Sequence, residues 1–171
     1  MRGDIFISMA RLRAAFAYLA AVNQIEAART LIIHGANVEA LDRNGRTPSS
    51  YAGEGDAVEA IKLLIAHGAN PCSKDNASKS LLSYASWSGS KASVKCLLEH
   101  AGLQAGINDI DTWGCTPFFY AAAQGHQDVL EILEAHGADP NILPSDDHTL
   151  YTMAKAFLES YKARKQTAQP A

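Results

Sequence analysis

The stretch from Thr116 to Asn141, TPFFYAAAQGHQDVLEILEAHGADPN, contains the signals for two short helices in close succession. Thr116 and Pro117 are typical of a helix start, because threonine caps the free backbone amides and proline lacks one. Gly125 tolerates the left-handed backbone of a tight turn, and Gly137 is typical of a helix end. The stretch therefore predicts two helices that are joined by a turn and followed by a loop.

The same signals recur along the chain at a spacing close to that between His34 and His67, which are 33 residues apart. The motif His-Gly-Ala-Asn or His-Gly-Ala-Asp begins at His34, His67 and His136, and His100 stands where a further copy is expected. A row of tyrosines keeps the same register and consists of Tyr18, Tyr51, Tyr84 and Tyr120. A fixed period of this length indicates a stack of repeated units.

These motifs resemble those of the ankyrin repeat family. The most specific are the Thr-Pro pairs at 47–48 and 116–117 and the Asp-x-x-Gly hairpins at 42–45 and 111–114. The resemblance covers about residues 11–160 and implies an all-α repeat fold, a solenoid of helix-turn-helix units with projecting hairpins. The expected segments are an N-terminal extension at 1–10, units at about 11–41, 42–74, 75–110 and 111–143, a C-terminal cap at 144–165 formed by one continuous helix, and a disordered tail at 166–171.

The third unit departs most from the family pattern. Ser78 stands at the position of the hairpin glycine, and Ser80 followed by Leu81 replaces Thr-Pro. After His100 the unit is also longer than the period. We expect either an irregular, mobile hairpin or a contact loop at this insertion.

Composition and charge narrow the functional classes. The chain has 171 residues, 47% of them hydrophobic, and a formal charge of -3, which gives no global electrostatic case for binding nucleic acid or a membrane surface. Its three cysteines show no metal-binding spacing and are typical of reduced thiols. The apolar run Ala14–Val22 fits the repeat register and is shorter than a membrane span of about 20 residues, and the core of a secretory signal is the alternative. We expect an intracellular monomer, in the cytoplasm or nucleus.

The sequence contains no recognisable catalytic, cofactor or metal site. It has neither a nucleophile with a matched base nor a glycine loop for phosphate. The row of histidines is poorly placed to share a zinc ion, because stacked helices lie about 8–10 Å apart. The recurring Asp42, Asp75 and Asp111 are predicted to accept hydrogen bonds from backbone amides of the hairpin turns. We therefore expect no catalysis, no cofactor and no metal.

In the ankyrin repeat family, the variable residues that recognise a partner lie on the concave face, which consists of the hairpins and the first helix of each unit. Mapped onto this chain, the resemblance and the preference of interfaces for Trp, Tyr and Arg give the candidates Trp87, Trp113, Tyr51, Tyr84, Tyr120, Arg43, Arg46, Lys79 and Asn76. For the tyrosines, packing against the next repeat is the alternative. The basic hairpin residues Arg43, Arg46, Lys74 and Lys79 favour a partner with an acidic surface, and the alternative is a solvated surface of mixed sign.

The repeat alignment also predicts which side chains are exposed. Neither Trp87 nor Trp113 aligns with a core position. Cys96 aligns with apolar positions of the second helix, so we expect it in the core. Cys115 aligns with Arg46 near a hairpin, so we expect an exposed and reactive thiol.

The function implied by the resemblance is that of a protein-interaction module without activity of its own. An inhibitory or targeting subunit of an enzyme, or a microbial effector, would use the same face. Binding of nucleic acid is the other class, supported by the basic hairpins and two tryptophans but opposed by the net negative charge.

Overall fold

The computed structural model describes residues 18, 20, 22–99, 106–145 and 150–168. In these ranges the chain forms eight helices and no strand. The helices are α1 (Ile25–Ile33), α2 (Pro48–Glu54), α3 (Val58–Ala66), α4 (Leu81–Trp87), α5 (Lys91–Glu99), α6 (Pro117–Gln124), α7 (Gln127–Ala135) and α8 (Tyr151–Ala168). The predicted all-α repeat fold is confirmed. The predicted N-terminal extension at 1–10 lies outside the described residues.

Three of the first helices begin with a hydroxyl cap, and two of these caps, Thr47 and Thr116, are the ones that the sequence predicts. The Oγ atom of each cap accepts a hydrogen bond from the backbone amide three residues later. The donor and acceptor pairs are Ser50 N to Thr47 Oγ1 at 3.3 Å, Ser83 N to Ser80 Oγ at 3.1 Å and Phe119 N to Thr116 Oγ1 at 3.1 Å. Ser80 therefore replaces the threonine of the other units as a cap.

The turns between helices have the left-handed backbone that the sequence predicts. The φ angles at the four aligned turn positions are all positive, being 55° at Asn23, 53° at Asp56, 71° at Gly89 and 76° at Gly125. Only residues that tolerate this conformation stand there. Each helix pair can therefore reverse its direction within two or three residues.

Two of these turn residues also connect neighbouring units. Asn23 Oδ1 accepts a 3.1 Å hydrogen bond from Ala60 N, and Asp56 Oδ1 accepts a 2.8 Å bond from Ser93 N. Both donors lie in the first turn of the second helix of the next unit, where backbone amides lack partners within the helix. Each turn thus caps a helix of its neighbour.

The helices pack in two rows. The first helices α2, α4 and α6, followed by α8, contact one another in sequence, and α1, α3, α5 and α7 form the second row. The core lies between the rows and includes fully buried side chains such as Ile61, Val94, Leu97, Leu130 and Phe118. Because no helix pair can bury these side chains alone, the units depend on their neighbours.

Each hairpin turn is held by an aspartate, as predicted. Oδ1 of each aspartate accepts from the backbone amides two and four residues later, over 2.8–2.9 Å. The aspartates are Asp42, Asp75 and Asp111. These bonds close each turn locally.

Backbone hydrogen bonds also join the tips of successive hairpins. Asn76 N donates to Asn44 O, and Thr112 N donates to Ala77 O, both over 2.9 Å. Ser78 adopts a φ of 60° and so performs the role of the missing glycine. The third hairpin is therefore regular in its described part, and the insertion at 100–105 lies outside the described residues.

The C-terminal cap is a single helix, as predicted, but it is longer than expected. Leu158 stands where the other units turn, and its side chain is buried instead, in a helix that packs against α6. α8 extends to Ala168, whereas residues 166–168 were expected to belong to a disordered tail. Between Tyr151 and Pro170 the sequence contains no glycine or proline. Pro170 itself disfavours a helical backbone only at the residue before it.

Candidate partner-binding surface

Three of the four tyrosines in the row, Tyr51, Tyr84 and Tyr120, are bonded to hairpin aspartates. The hydroxyl of Tyr51 donates to Asp42 over 2.7 Å, and that of Tyr84 donates to Asp75 over 2.6 Å. Tyr120 donates to Asp111 in the same way. Burial and the bond to Asp75 raise the pKa of the Tyr84 hydroxyl, so this phenol stays neutral.

Burial differs along the row. Tyr51 is half-buried, whereas Tyr84 and Tyr120 expose only 9% and 3% of their surface. The structure thus places the latter two inside the stack, where a partner could contact only a small part of either ring.

Arg46 does not project from the hairpin into solvent. Its guanidinium carbon lies 3.9 Å from the centroid of the Tyr51 ring and 4.1 Å from that of Tyr84. The guanidinium also forms an ion pair with Glu54, at the end of α2. Arg46 therefore bridges two neighbouring units through cation–π contacts.

Lys79 occupies the equivalent place one unit further along. Its Nζ atom lies 4.0 Å from the centroid of Tyr120, 4.6 Å from that of Tyr84 and 5.1 Å from that of Trp87. Burial lowers the pKa of this ammonium below 10.5 and outweighs the attraction of nearby carboxylates. Tyrosines and cations thus alternate in what we call the tyrosine–cation column, made of Tyr51, Arg46, Tyr84, Lys79 and Tyr120.

The two tryptophans have different environments. Trp87 is half-buried against the core, and its ring meets that of Tyr120 edge to face at 5.5 Å. Its carbonyl accepts a 3.1 Å bond from His126 Nε2. The expectation that Trp87 lies outside the core therefore holds only in part, because part of its ring packs against the core and against Tyr120 of the next unit. Trp113 is 52% exposed at the tip of its hairpin, as expected.

Cys115 is fully buried, so the prediction of an exposed thiol is wrong. Its aligned residues Arg46 and Lys79 point into the tyrosine–cation column, and a shorter side chain at that place is covered completely. Burial raises the pKa of the Cys115 thiol to about 12. Cys96 is half-buried rather than fully in the core, and Cys72 is exposed.

The remaining basic residues of the hairpins differ in how they are engaged. Lys74 Nζ forms a 2.7 Å ion pair with Asp109. Arg43 is exposed and forms no ion pair with any residue that the structure describes. Asn76 is exposed too, and its Nδ2 donates to the carbonyl of Arg43 over 3.2 Å. Arg43 and Asn76 thus lie together at the tips of adjacent hairpins.

The second row of helices carries solvated polar groups on its outer surface, the wall opposite the hairpins. Lys62 pairs with Glu59 and Lys91 with Asp128, and these side chains are about half-exposed or more, at 52–60%. Exposed pairs of this kind contribute little to stability. This wall provides matched control positions for tests of binding.

Two histidines of the row form hydrogen bonds with carbonyl groups in the last turn of a helix. Nδ1 of His34 and of His136 lies 2.8 Å from the carbonyl oxygen four residues earlier, Thr30 O and Ile132 O respectively. Since a carbonyl only accepts, Nδ1 carries the proton in each case. Within the described residues, no group of three or more potential ligands could hold a metal ion.

None of the described helices has both the length and the apolar character that a membrane span requires.

A comparison with curated protein sequences finds no significant match. A family model of ankyrin repeats in three copies matches residues 16–111 and, in a second overlapping match, residues 74–144. Ankyrin repeats are generally protein-interaction modules. These matches span most of the chain, and together with the stacked helix pairs they show that it belongs to the ankyrin repeat family.

Proposed function

We propose that this chain binds a partner protein through the concave face and catalyses no reaction of its own. The observation that supports this most is Trp113, a large aromatic side chain that is 52% exposed on a hairpin fixed by Asp111. An indole that remains in water on a rigid support is available for burial by a partner, and tryptophan is enriched among residues that dominate binding energy.

The proposed contact residues are those of the concave face that remain accessible. Trp113 forms the centre, and the exposed part of Trp87 and half-buried Tyr51 extend it along the first helices. Arg43 and Asn76 form the rim at the hairpin tips. Lys79 contributes positive charge from the column behind them, which favours a partner with an acidic surface, whereas the charge of Arg46 is balanced by Glu54. Tyr84 and Tyr120 support this face from inside.

Hydrogen exchange would test the location of the surface. On binding of a purified partner, we expect slower exchange at the amides of Asn44, Ala77 and Trp113 and little change in α3, α5 and α7. Protection confined to α3, α5 and α7 would place the interface on the opposite wall. A chain that acts as an inhibitory or targeting subunit or as an effector would give the same pattern, and the activity of the partner with and without this chain would distinguish these roles.

Binding of nucleic acid is less well supported. Of the four basic hairpin residues, Arg46 and Lys79 lie among tyrosine rings and Lys74 pairs with Asp109. A phosphate backbone would therefore meet mainly Arg43, and affinity for nucleic acid depends on many such contacts. Retention on DNA or RNA that falls steeply with salt would favour this alternative.

A further inference from the structure

Two neighbouring units differ at one pair of aligned positions. In the second unit, Arg46 pairs with Glu54, whose side chain is 42% exposed. The residues 33 positions later are Lys79 and Trp87. The cation is therefore repeated, but its acidic partner is replaced by an indole that lies 5.1 Å from the Lys79 ammonium.

The Lys79 ammonium has no paired carboxylate among the residues that the structure describes. Three ring faces surround it, but it forms no ion pair and no hydrogen bond with any residue that the structure describes. Its three N–H donors are consequently unused within that part of the chain, since a ring face attracts the charge without replacing an oxygen acceptor.

The nearest carboxylates are already engaged elsewhere. Asp75 and Asp111 each accept two backbone amides and a tyrosine hydroxyl, and Glu54 pairs with Arg46. Turning any of them toward Lys79 would break these bonds. Among the described residues, none of the nearest carboxylates can therefore pair with Lys79 without losing these bonds.

We propose that Lys79 and Trp87 form a binding position for a glutamate or aspartate side chain of the partner protein. This inference rests on the proposed function and specifies its chemistry. The partner's carboxylate would lie beside Lys79 as the carboxylate of Glu54 lies beside Arg46. It would accept charge-assisted hydrogen bonds from the Lys79 ammonium, and its methylene groups would pack against the Trp87 indole. The protein would thus recognise one acidic residue of the partner. Arg46 would not compete for that residue, because Glu54 neutralises its charge.

The direct test uses a tetraglutamate peptide that is acetylated and amidated, so that it carries only side-chain carboxylates. The protein is labelled with 13C and 15N at lysine, and the Lys79 side-chain signals are identified from their absence in Lys79→Arg. We expect the Lys79 signals to shift saturably with tetraglutamate but not with the matching tetraglutamine peptide. Equal shifts with both peptides would overturn the proposal.

Substitutions at position 87 separate the effect of an added negative charge from the effect of losing the indole ring. Trp87→Glu supplies the acid of the second unit, so the peptide should bind about tenfold more weakly or worse. Trp87→Gln removes the ring without adding charge, and we expect its loss of affinity to be about threefold. Lys79→Met, labelled uniformly with 15N and followed through the backbone amide of residue 79, should abolish saturable binding. Circular dichroism establishes that each variant is folded, and unchanged affinity in both Trp87→Glu and Lys79→Met would contradict the assignment.

The same variants distinguish this inference from the proposed function. A purified partner whose affinity falls with Trp113→Ala but is unaffected by Lys79→Met and Trp87→Glu would leave the concave face as the binding surface and refute the carboxylate position. Binding of tetraglutamate at Lys79, with no dependence of the partner on Trp113 or Lys79, would retain the carboxylate position and refute the proposed partner surface.

Discussion

The hydroxyl of Tyr84 donates a 2.6 Å hydrogen bond to Oδ2 of Asp75, whose other oxygen holds the hairpin turn through two backbone amides. One aspartate thus fastens the hairpin to the first helix of its unit. Because the same bond recurs at Tyr51 and Tyr120, the tyrosine row sets the orientation of every described hairpin on the concave face.

Removing one such bond should lower stability measurably. Tyr84→Phe leaves the ring in place but deprives Asp75 of a donor, so we expect a loss of about 1–2 kcal/mol in the free energy of unfolding. Urea denaturation measures this loss. The matched control is Tyr151→Phe, whose hydroxyl has no hydrogen-bond partner within the described part of the chain, and it should change stability by less than about 0.5 kcal/mol. Equal effects would mean that the Tyr84 bond has no special role.

Acid should weaken the second unit through Asp42. Burial raises the pKa of this carboxyl, but hydrogen bonds from Tyr51 and from the amides of Arg46 and Asn44 outweigh burial and hold the pKa below 3.8. A lowered folded pKa adds stability that is fully present above the unfolded value and is lost as pH falls through the folded value.

Asp42→Asn should therefore destabilise the protein most at about pH 6, and its difference from the native chain should shrink below about pH 4. Urea unfolding at a series of pH values measures the difference. Asp128→Asn on the opposite wall is the control, with little expected effect at any pH. A difference for Asp42→Asn that stays constant down to about pH 2.5 would contradict the assigned bonds.

Local signals in the sequence predicted most of the fold. The caps at Thr47 and Thr116, the turn at Gly125 and the aspartate of each hairpin act within a few residues, so a single unit contains the information. The stacking of units is different, because it brings residues from separate units together. Cys115 and the ring of Trp87 are covered by such contacts, and alignment of one unit on another does not show them.

The tyrosine–cation column was only partly predictable. The repeat register identified its tyrosines and cations, but their alternation depends on Arg46 and Lys79 leaning toward the next unit. The pair of Arg46 and Glu54 had a detectable signal, since both stand at aligned variable positions of one unit with opposite charge. The same comparison of positions would have indicated that Lys79 lacks an acid at position 87.

The thiols should react with a disulfide reagent in an order set by exposure. Cys72 should react first, half-buried Cys96 more slowly, and Cys115 only on unfolding, because burial raises its pKa to about 12. Mass spectrometry of peptides from the partly modified native protein measures the three rates. Cys72→Ser should remove the fast phase, and a fast phase that survives this change would contradict the burial of Cys115 or Cys96.

The two tryptophans should differ in their contribution to folding. Trp87→Ala removes a ring that packs against Tyr120 and the core, so we expect a loss of about 2–4 kcal/mol in the free energy of unfolding. Trp113→Ala removes an exposed ring and should cost less than about 0.5 kcal/mol. Thermal and urea unfolding compare the two variants. Similar losses for both would mean that Trp113 is packed more tightly than its exposure indicates.

Because Trp113→Ala is expected to leave the free energy of unfolding nearly unchanged, a loss of affinity in this variant reports on binding alone. A photo-reactive phenylalanine analogue at position 113, used in the native source, would capture the partner for purification, and the same analogue at position 131 on the opposite wall is the control. Glu131 lies on α7, where it accepts a hydrogen bond from Gln127. Its truncation should leave the concave face intact.

The most direct test of the binding surface is the affinity of the purified partner for the native chain, for Trp113→Ala and for Glu131→Ala, measured by titration calorimetry. We expect Trp113→Ala to bind at least about thirtyfold more weakly, since a central aromatic anchor typically contributes about 2 kcal/mol or more, and Glu131→Ala to bind within about twofold of the native chain. A partner that binds Trp113→Ala as tightly as the native chain but loses affinity for Glu131→Ala would place binding on the opposite wall and contradict this account.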